Sequence, residues 1–285
     1  MKKVLTCILV SVLFFVCSCV SVRAAETKDK TDSQKKADAH YRMGIDSMYK
    51  GKHFKAKREL SIAVEYAPDI PVYHNHLGLL HYKLGEYEKA EKLFMKSYEL
   101  DNSYSDPLNN LAVLYIHQKK YDEAWNLLEK VEKDSIYPNP QFVYSNKGII
   151  LKNKGKLNEA EKEFKRALKL KPKYCEAHNE LGKLYEMKNL DEKAAYHYSM
   201  SVKFCPSFVE SLYRGAVRYF ALKQEDKGKE FLKKCVEIES ENTNELTIPF
   251  MEDCLRLAET FGINEKSEKE EDRKRKKREI EDIKR

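Results

Sequence analysis

Small residues return along this chain at a fixed interval. Counted from Ala37, position 8 of six successive 34-residue units holds Gly44, Gly78, Ala112, Gly148, Gly182 and Ala216. Position 20 holds Ala56, Ala90, Ala124, Ala160, Ala194 and Gly228. Position 27 holds Ala63, Ser97, Val131, Ala167, Ser201 and Cys235. Pro68, Pro172 and Pro206 share position 32 with Asn102. The units begin at residues 37, 71, 105, 141, 175 and 209 and cover 37–242, with two extra residues near Tyr137-Pro138 between the third and fourth. A period of this length predicts units that cannot bury their apolar faces alone and must stack.

The pattern resembles the tetratricopeptide repeat. The resemblance implies two antiparallel helices per unit. Small side chains at positions 8, 20 and 27 let the helices approach closely, and the proline ends the second helix because it has no N–H to continue it. After the sixth unit, Phe250, Cys254, Leu255 and Leu257 return at helical spacing. They predict a capping helix over 243–262, with Pro249 early in it and Gly262 as its stop. The predicted fold class is therefore all-α, a tetratricopeptide-repeat superhelical solenoid with a C-terminal capping helix.

The N-terminus has a different character. Lys2 and Lys3 precede an apolar run from Val4 to Val16, too short for a comfortable membrane span and suited to a secretory leader. Val16-Cys17-Ser18-Cys19 resembles the lipobox of bacterial lipoproteins: an aliphatic residue, two small ones, then the acceptor cysteine. This reading makes 1–18 the signal peptide and Cys19 the lipidated residue, with outer-membrane lipid as a partner. The alternative is cleavage after Ala24, giving a soluble periplasmic protein. By resemblance to enterobacterial lipoproteins, the lack of aspartate at Val20 implies the outer membrane. Residues 20–36 are polar and charged and predict, with Cys19, a flexible tether over 19–36. Residues 263–285 predict a charged, solvated tail with a basic run from Arg273 to Arg278.

Composition adds little to the choice of partner. The net charge of +7 over 285 residues is too mild an excess to predict nucleic-acid binding. There is no phosphate loop, HExxH or CxxC, and no enzyme or cofactor is predicted. His74, His76 and His81 are close in sequence but do not share one helix face, and His74, like His40 and His178, stands at position 4 where a bulky packing residue sits, so no metal is predicted. Cys235 reads as a core residue. Cys175 and Cys205 lie at helix ends that antiparallel packing brings together, which makes them a candidate disulfide in an oxidising periplasm.

In such repeats the first helices line the concave face. Positions 5 and 6 there hold Asn75, Asn109, Asn110, Asn146 and Asn179; position 9 holds Ile45, Leu79, Val113, Ile149 and Val217. An amide both donates and accepts, so a row of them can pair with an extended peptide, and the apolar stripe can take its side chains. The alternative is that the asparagines join neighbouring helices. No clustered lysines or arginines suggest a clamp for a terminal carboxylate.

Units three and four narrow the resemblance. Asn109-Asn110, Tyr121-x-x-Ala124 and the insertion at Tyr137-Pro138, with six repeats and a lipobox, are similar to the type IV pilus biogenesis and stability proteins, which are secretin pilotins. The resemblance implies a secretin subunit as partner and its assembly at the periplasmic face of the outer membrane as the function. The long charged tail departs from that pattern. A general cell-envelope scaffold, for cell-wall enzymes or motility machinery, is the rival expectation.

Overall fold

The computed structural model describes residues 31–238 and 248–263. Cys19, the leader, residues 239–247 and the tail from 264 onward lie outside the described residues. Thirteen helices, and no strand, occur among the described residues. They pair in order: α1 (Asp32–Tyr49) with α2 (His53–Tyr66), α3 (Pro71–Lys83) with α4 (Tyr87–Leu100), and α5 (Asp106–His117) with α6 (Tyr121–Glu132). α7 (Pro140–Asn153) pairs with α8 (Leu157–Leu170), α9 (Cys175–Met187) with α10 (Asp191–Phe204), and α11 (Val209–Ala221) with α12 (Glu225–Val236). The final helix is α13 (Ile248–Thr260). The chain is the all-α solenoid that its period predicts.

Each hairpin turns in the same way. The residue at position 15 has a positive φ in all six repeats: Gly51 (67°), Gly85 (72°), Lys119 (61°), Gly155 (75°), Asn189 (55°) and Lys223 (59°). The next residue's N–H reaches back to the carbonyl five positions earlier, as from Lys52 to Ser47 at 2.9 Å and from Lys156 to Leu151 at 2.9 Å. This is the Schellman closure of a helix C-terminus, which uses carbonyls the helix itself leaves unpaired. Glycine or asparagine takes the left-handed conformation cheaply, whereas Lys119 and Lys223 adopt it at a steric cost.

Packing within a repeat rests on position 8. A Cβ placed on Gly182 would lie 2.5 Å from the Tyr198 ring, and one on Gly148 would lie 2.6 Å from Phe164. Those rings occupy position 24 and are fully buried. Where position 8 is Ala112 or Ala216, position 24 is the smaller Leu128 or Leu232. The apolar clusters then run from one repeat into the next, as Leu151, Phe164, Leu181 and Tyr198 do between repeats four and five.

The last open face is closed by α13. Cys254 and Ala258 are buried against Leu212, Ala216 and Leu232 of the sixth repeat, and Phe261 stacks on Phe220 with ring centroids 3.9 Å apart. Cys235 is not merely a packing residue: it is bonded to Cys254, with Cα atoms 6.2 Å apart, and so ties the cap to α12. Sequence position alone could not suggest this, because the partner lies in the cap and outside the repeat register. Cys175 and Cys205 are also bonded, with Cα atoms 6.0 Å apart at the two ends of the fifth hairpin.

Residues 32–36, expected as part of the tether, are helical. Helix α1 begins at Asp32, five residues before the repeat register, because Thr31 and Gln34 form a capping box: Gln34 N donates to Thr31 Oγ1 and Thr31 N to Gln34 Oε1, both at 3.2 Å. Ser33 Oγ also donates to the Tyr66 carbonyl at 2.7 Å, fastening the extra turn to α2.

The approach at position 8 has a measurable consequence. Gly182→Ala adds helix propensity of about 1 kcal/mol. It also forces a methyl into a rigid, fully buried ring, which costs about 1–3 kcal/mol. Urea unfolding should show a net loss of stability; an unchanged or raised midpoint would mean that Tyr198 has room to move.

Candidate binding groove

The first helices form the inner side of the stack. α1, α3, α5, α7 and α9 touch in series, whereas no two second helices make comparable contact. The second helices must therefore splay outward. Residues at positions 5, 6 and 9 of the first helices face each other along this inner side.

The asparagines there are joints between repeats. Asn110 Nδ2 donates to Asn75 Oδ1 at 2.8 Å, and Asn146 Nδ2 donates to Asn109 Oδ1 at 3.0 Å. Asn75 Nδ2 donates to the Tyr104 hydroxyl at 2.9 Å, and Asn179 Nδ2 to Glu210 Oε2 at 2.9 Å. Ser211 Oγ lies 2.8 Å from Asn179 Oδ1. Asn75 and Asn179 are only 2% exposed, and Asn109 and Asn146 are nearly as enclosed. In this arrangement the amides satisfy one another across helix boundaries, and only Asn110 is half-open to solvent. The sequence shows which positions carry amides; it cannot show that the spacing of adjacent helices lets those amides meet.

Beside these joints the inner side has two chemical halves. In repeats one to four, Ile45, Leu79, Val113 and Ile149 form a half-buried apolar stripe. Aromatic rings pack across repeat boundaries as well. The Tyr41 hydroxyl lies 3.2 Å from His76 Nδ1, and Tyr87 packs 4.7 Å from the His117 ring. In repeat five the stripe position is the charged Lys183, and although repeat six returns to the half-buried Val217, ion pairs surround this end of the inner side. Lys183 bonds Glu180 at 2.9 Å and Glu210 at 2.8 Å, while Lys152 pairs with Glu180. Arg214 reaches Glu210 at 3.0 Å and Glu186 at 2.9 Å, and Arg218 reaches Asp191 at 3.0 Å. Burial pushes the Glu180 carboxyl up, but Lys183 and Lys152 outweigh it and hold the group below its usual range. Lys183 is held above its usual range by Glu180 and Glu210 against burial. Four cations and four anions thus cancel within this run, and it offers little net field to a charged ligand.

Family profiles described as tetratricopeptide or TPR repeat match residues 69–133, 148–189 and 209–242. The chain carries tetratricopeptide repeats. It is 27% identical over 133 residues to "Type IV pilus assembly protein PilF" of Pseudomonas aeruginosa, covering 47% of this chain and 53% of that one. It is 26% identical over 186 residues to the Hsp70-Hsp90 organising protein of Plasmodium falciparum, covering 62% and 31%. The chain spans about half or less of the length of these curated relatives. Among solved structures, P. aeruginosa PilF aligns over 72% of this chain and 92% of its own, with 22% identity and a TM-score of 0.58. PilW, described as a widely conserved type IV pilus biogenesis factor, aligns over 78% and 97%, with 18% identity and a TM-score of 0.61. These structural likenesses are likenesses of fold.

The histidines of this repeat protein are engaged locally. His74 Nε2 lies 2.8 Å from the Pro68 carbonyl, His76 Nδ1 lies 3.0 Å from that of Val72, and His81 Nδ1 lies 2.8 Å from Glu86 Oε2. His178 and His197 face each other with Nδ1 atoms 3.1 Å apart, and His197 stacks on Tyr185. Burial, then His178, push His197 down to about 4, and burial lowers His178 too. No helix among the described residues is long and apolar enough to cross a membrane.

Two outcomes follow from this geometry. Asn109→Ala strands the buried amide of Asn146 and should cost about 1–3 kcal/mol in urea unfolding. The double substitution Asn109→Ala/Asn146→Ala should cost less than the sum of the singles; strict additivity would contradict the pairing. The histidine pair is neutral in the folded chain, while an unfolded histidine takes up its proton near pH 6.5. Stability should therefore fall as pH drops from about 6.5 toward 4, where only the unfolded chain gains protons. Melting curves of His197→Leu should show a smaller acid-induced loss than the parent; an equal loss would assign the pH dependence to other groups.

Proposed function

We propose that this chain is a lipid-anchored, periplasm-facing pilotin that binds a segment of the type IV pilus secretin in its groove and promotes secretin assembly at the outer membrane. The observation that carries this reading is the sequence likeness to the pilus assembly protein PilF. Three further features support it. The segment before Cys19 has lipobox chemistry. The pairs Cys175–Cys205 and Cys235–Cys254 suit an oxidising compartment such as the periplasm. Ile45, Leu79, Val113 and Ile149, with Asn110 beside them, offer one apolar rung per repeat on a rigid scaffold.

The mechanism needs positioning and no bond chemistry. Neighbouring first helices lie roughly 8–10 Å apart, and an extended segment advances about 3.3 Å per residue. A bound strand therefore meets an apolar rung about every third residue. The four enclosed asparagines keep those rungs in register; Asn110 remains to pair with the segment's backbone. A secretin subunit before assembly carries strands with unpaired edges that invite wrong pairing. Holding one such segment on a bilayer-tethered solenoid shields it and concentrates the subunit where the ring forms.

Deletion of the gene should leave secretin subunits and pilin made, but heat-resistant secretin multimers and surface pili lost, as read on an unheated gel of envelope proteins. Cys19→Ser should leave a chain that binds subunits but delivers them poorly. Normal multimers in the deletion strain would overturn the pilotin reading and favour a general envelope scaffold. A mature start at Ala25 by mass spectrometry would overturn the anchor alone.

A further inference from the structure

The turn between α1 and α2 breaks the repeat pattern. The second residue of the second helix is Glu88, Asp122, Asn158, Glu192 or Asp226 in repeats two to six. A negative or polar side chain suits that place, because the helix dipole is positive there. Repeat one instead carries Phe54, which is 90% exposed. Tyr49, at the other side of the same turn, is 88% exposed. Scattered exposed apolar residues are ordinary on protein surfaces. Two almost fully solvated rings on one turn are a different matter. The turn also holds them firmly: Gly51 is left-handed, Lys52 N donates to the Ser47 carbonyl at 2.9 Å, and His53 N donates to that of Gly51 at 2.9 Å.

The unpaired charge flanking the rings is basic. From Tyr49 to Arg58 there are five basic residues and no acid. Three of them are paired: Lys50 with Asp46 at 2.8 Å, Lys57 with Glu86 at 2.6 Å, and Arg58 with Glu59 at 2.7 Å. Lys52 and Lys55 are exposed on either side of His53 and Phe54. Equivalent turns in the later repeats mix lysines (Lys119, Lys120, Lys156 and Lys223) with acids (Glu86, Glu88, Asp122, Glu192 and Asp226), so the combination of bare rings and basic charge belongs to the first turn. Aromatic rings flanked by lysines match the headgroup region of a bilayer, where rings settle at the interface and lysines meet lipid phosphates.

We propose that this turn is a membrane-docking tip, with Tyr49 and Phe54 entering the headgroup region of an anionic bilayer and Lys52 and Lys55 on its phosphates. The occupant is a lipid surface because the tip combines two exposed rings with two exposed lysines, Lys52 and Lys55, while the acids nearby, Asp46, Glu59 and Glu86, are already paired with Lys50, Arg58 and Lys57. Chain length permits it beside the proposed anchor. α1 has 18 residues, so Thr31 lies roughly 27 Å from the tip along the helix, and the twelve residues from Val20 to Thr31 can extend to about 40 Å. The tip and Cys19 can thus meet one membrane together, and the two contacts orient the solenoid. The proposal depends on neither the secretin partner nor acylation of Cys19.

The test uses the full chain with vesicles of phosphatidylglycerol and phosphatidylcholine in equal parts, containing lipid brominated near the headgroup end of its acyl chains. The chain's single tryptophan, Trp125, sits on α6 and serves as the internal reference. Phe54→Trp should show a blue shift and strong quenching beyond that of the parent. Adding Lys52→Glu and Lys55→Glu should weaken the vesicle-dependent shift on the order of 25-fold or more in lipid concentration, at about five-fold per lysine, with circular dichroism unchanged. No quenching beyond the parent on vesicle-bound protein would overturn the proposal, as would equal quenching in pure phosphatidylcholine. Secretin multimers lost on deletion but no tip quenching would refute the tip and leave the pilotin reading standing.

Discussion

The structure depends on how closely two helices can approach at position 8 of each repeat. Gly44, Gly78, Gly148 and Gly182 leave no side chain there, and a large residue from the second helix fills the gap. That contact sets how closely the two helices of a hairpin pack, and Ala112 with Leu128 and Ala216 with Leu232 take the same positions in repeats three and six. A hairpin built this way still shows apolar surface on both flanks, so it is stable only when stacked, and the chain ends in a cap because its last flank must also be covered. The disulfide between Cys235 and Cys254 makes that cover covalent.

Stacking also decides where polar groups can go. Between first helices the gap is narrow, and water cannot reach the side chains at position 5. A polar residue there must find a protein partner. The asparagines do so by pairing with one another and with Tyr104, Glu210 and Ser211. Beside them in repeats five and six, at positions 9 and 6, Lys183 and Arg214 are each shared between two carboxylates. What remains open to a partner is the apolar stripe of repeats one to four. The proposed binding mode therefore uses that stripe, with the amides as its support.

The sequence made the period, the fold class and the cap legible because small residues at positions 8, 20 and 27 are required by helix contact in every unit. It was less informative where one repeat differs from the rest. Thr31 and Gln34 extend α1 by a local capping box that lies outside the repeat register. The partner of Cys235 lies in the cap, so counting repeats could not reach it. Amides at Asn75 and Asn179 look alike whether they face solvent or each other, and only the distance between helices separates the two cases. Phe54 had a legible signal, an aromatic residue where the other five repeats are acidic or amide, but its exposure could be known only once the turn was built.

The central claim is that a partner lies along the inner stripe of repeats one to four. A photoreactive amino acid placed singly at Leu79, at Val113 and at Met95 tests it most directly in intact cells. Met95 belongs to the outward second helix α4 and is 47% exposed, so it reports on the opposite side. Illumination should yield one shared adduct from Leu79 and Val113 and none from Met95. An adduct from Met95 alone, with the inner positions silent, would contradict the account.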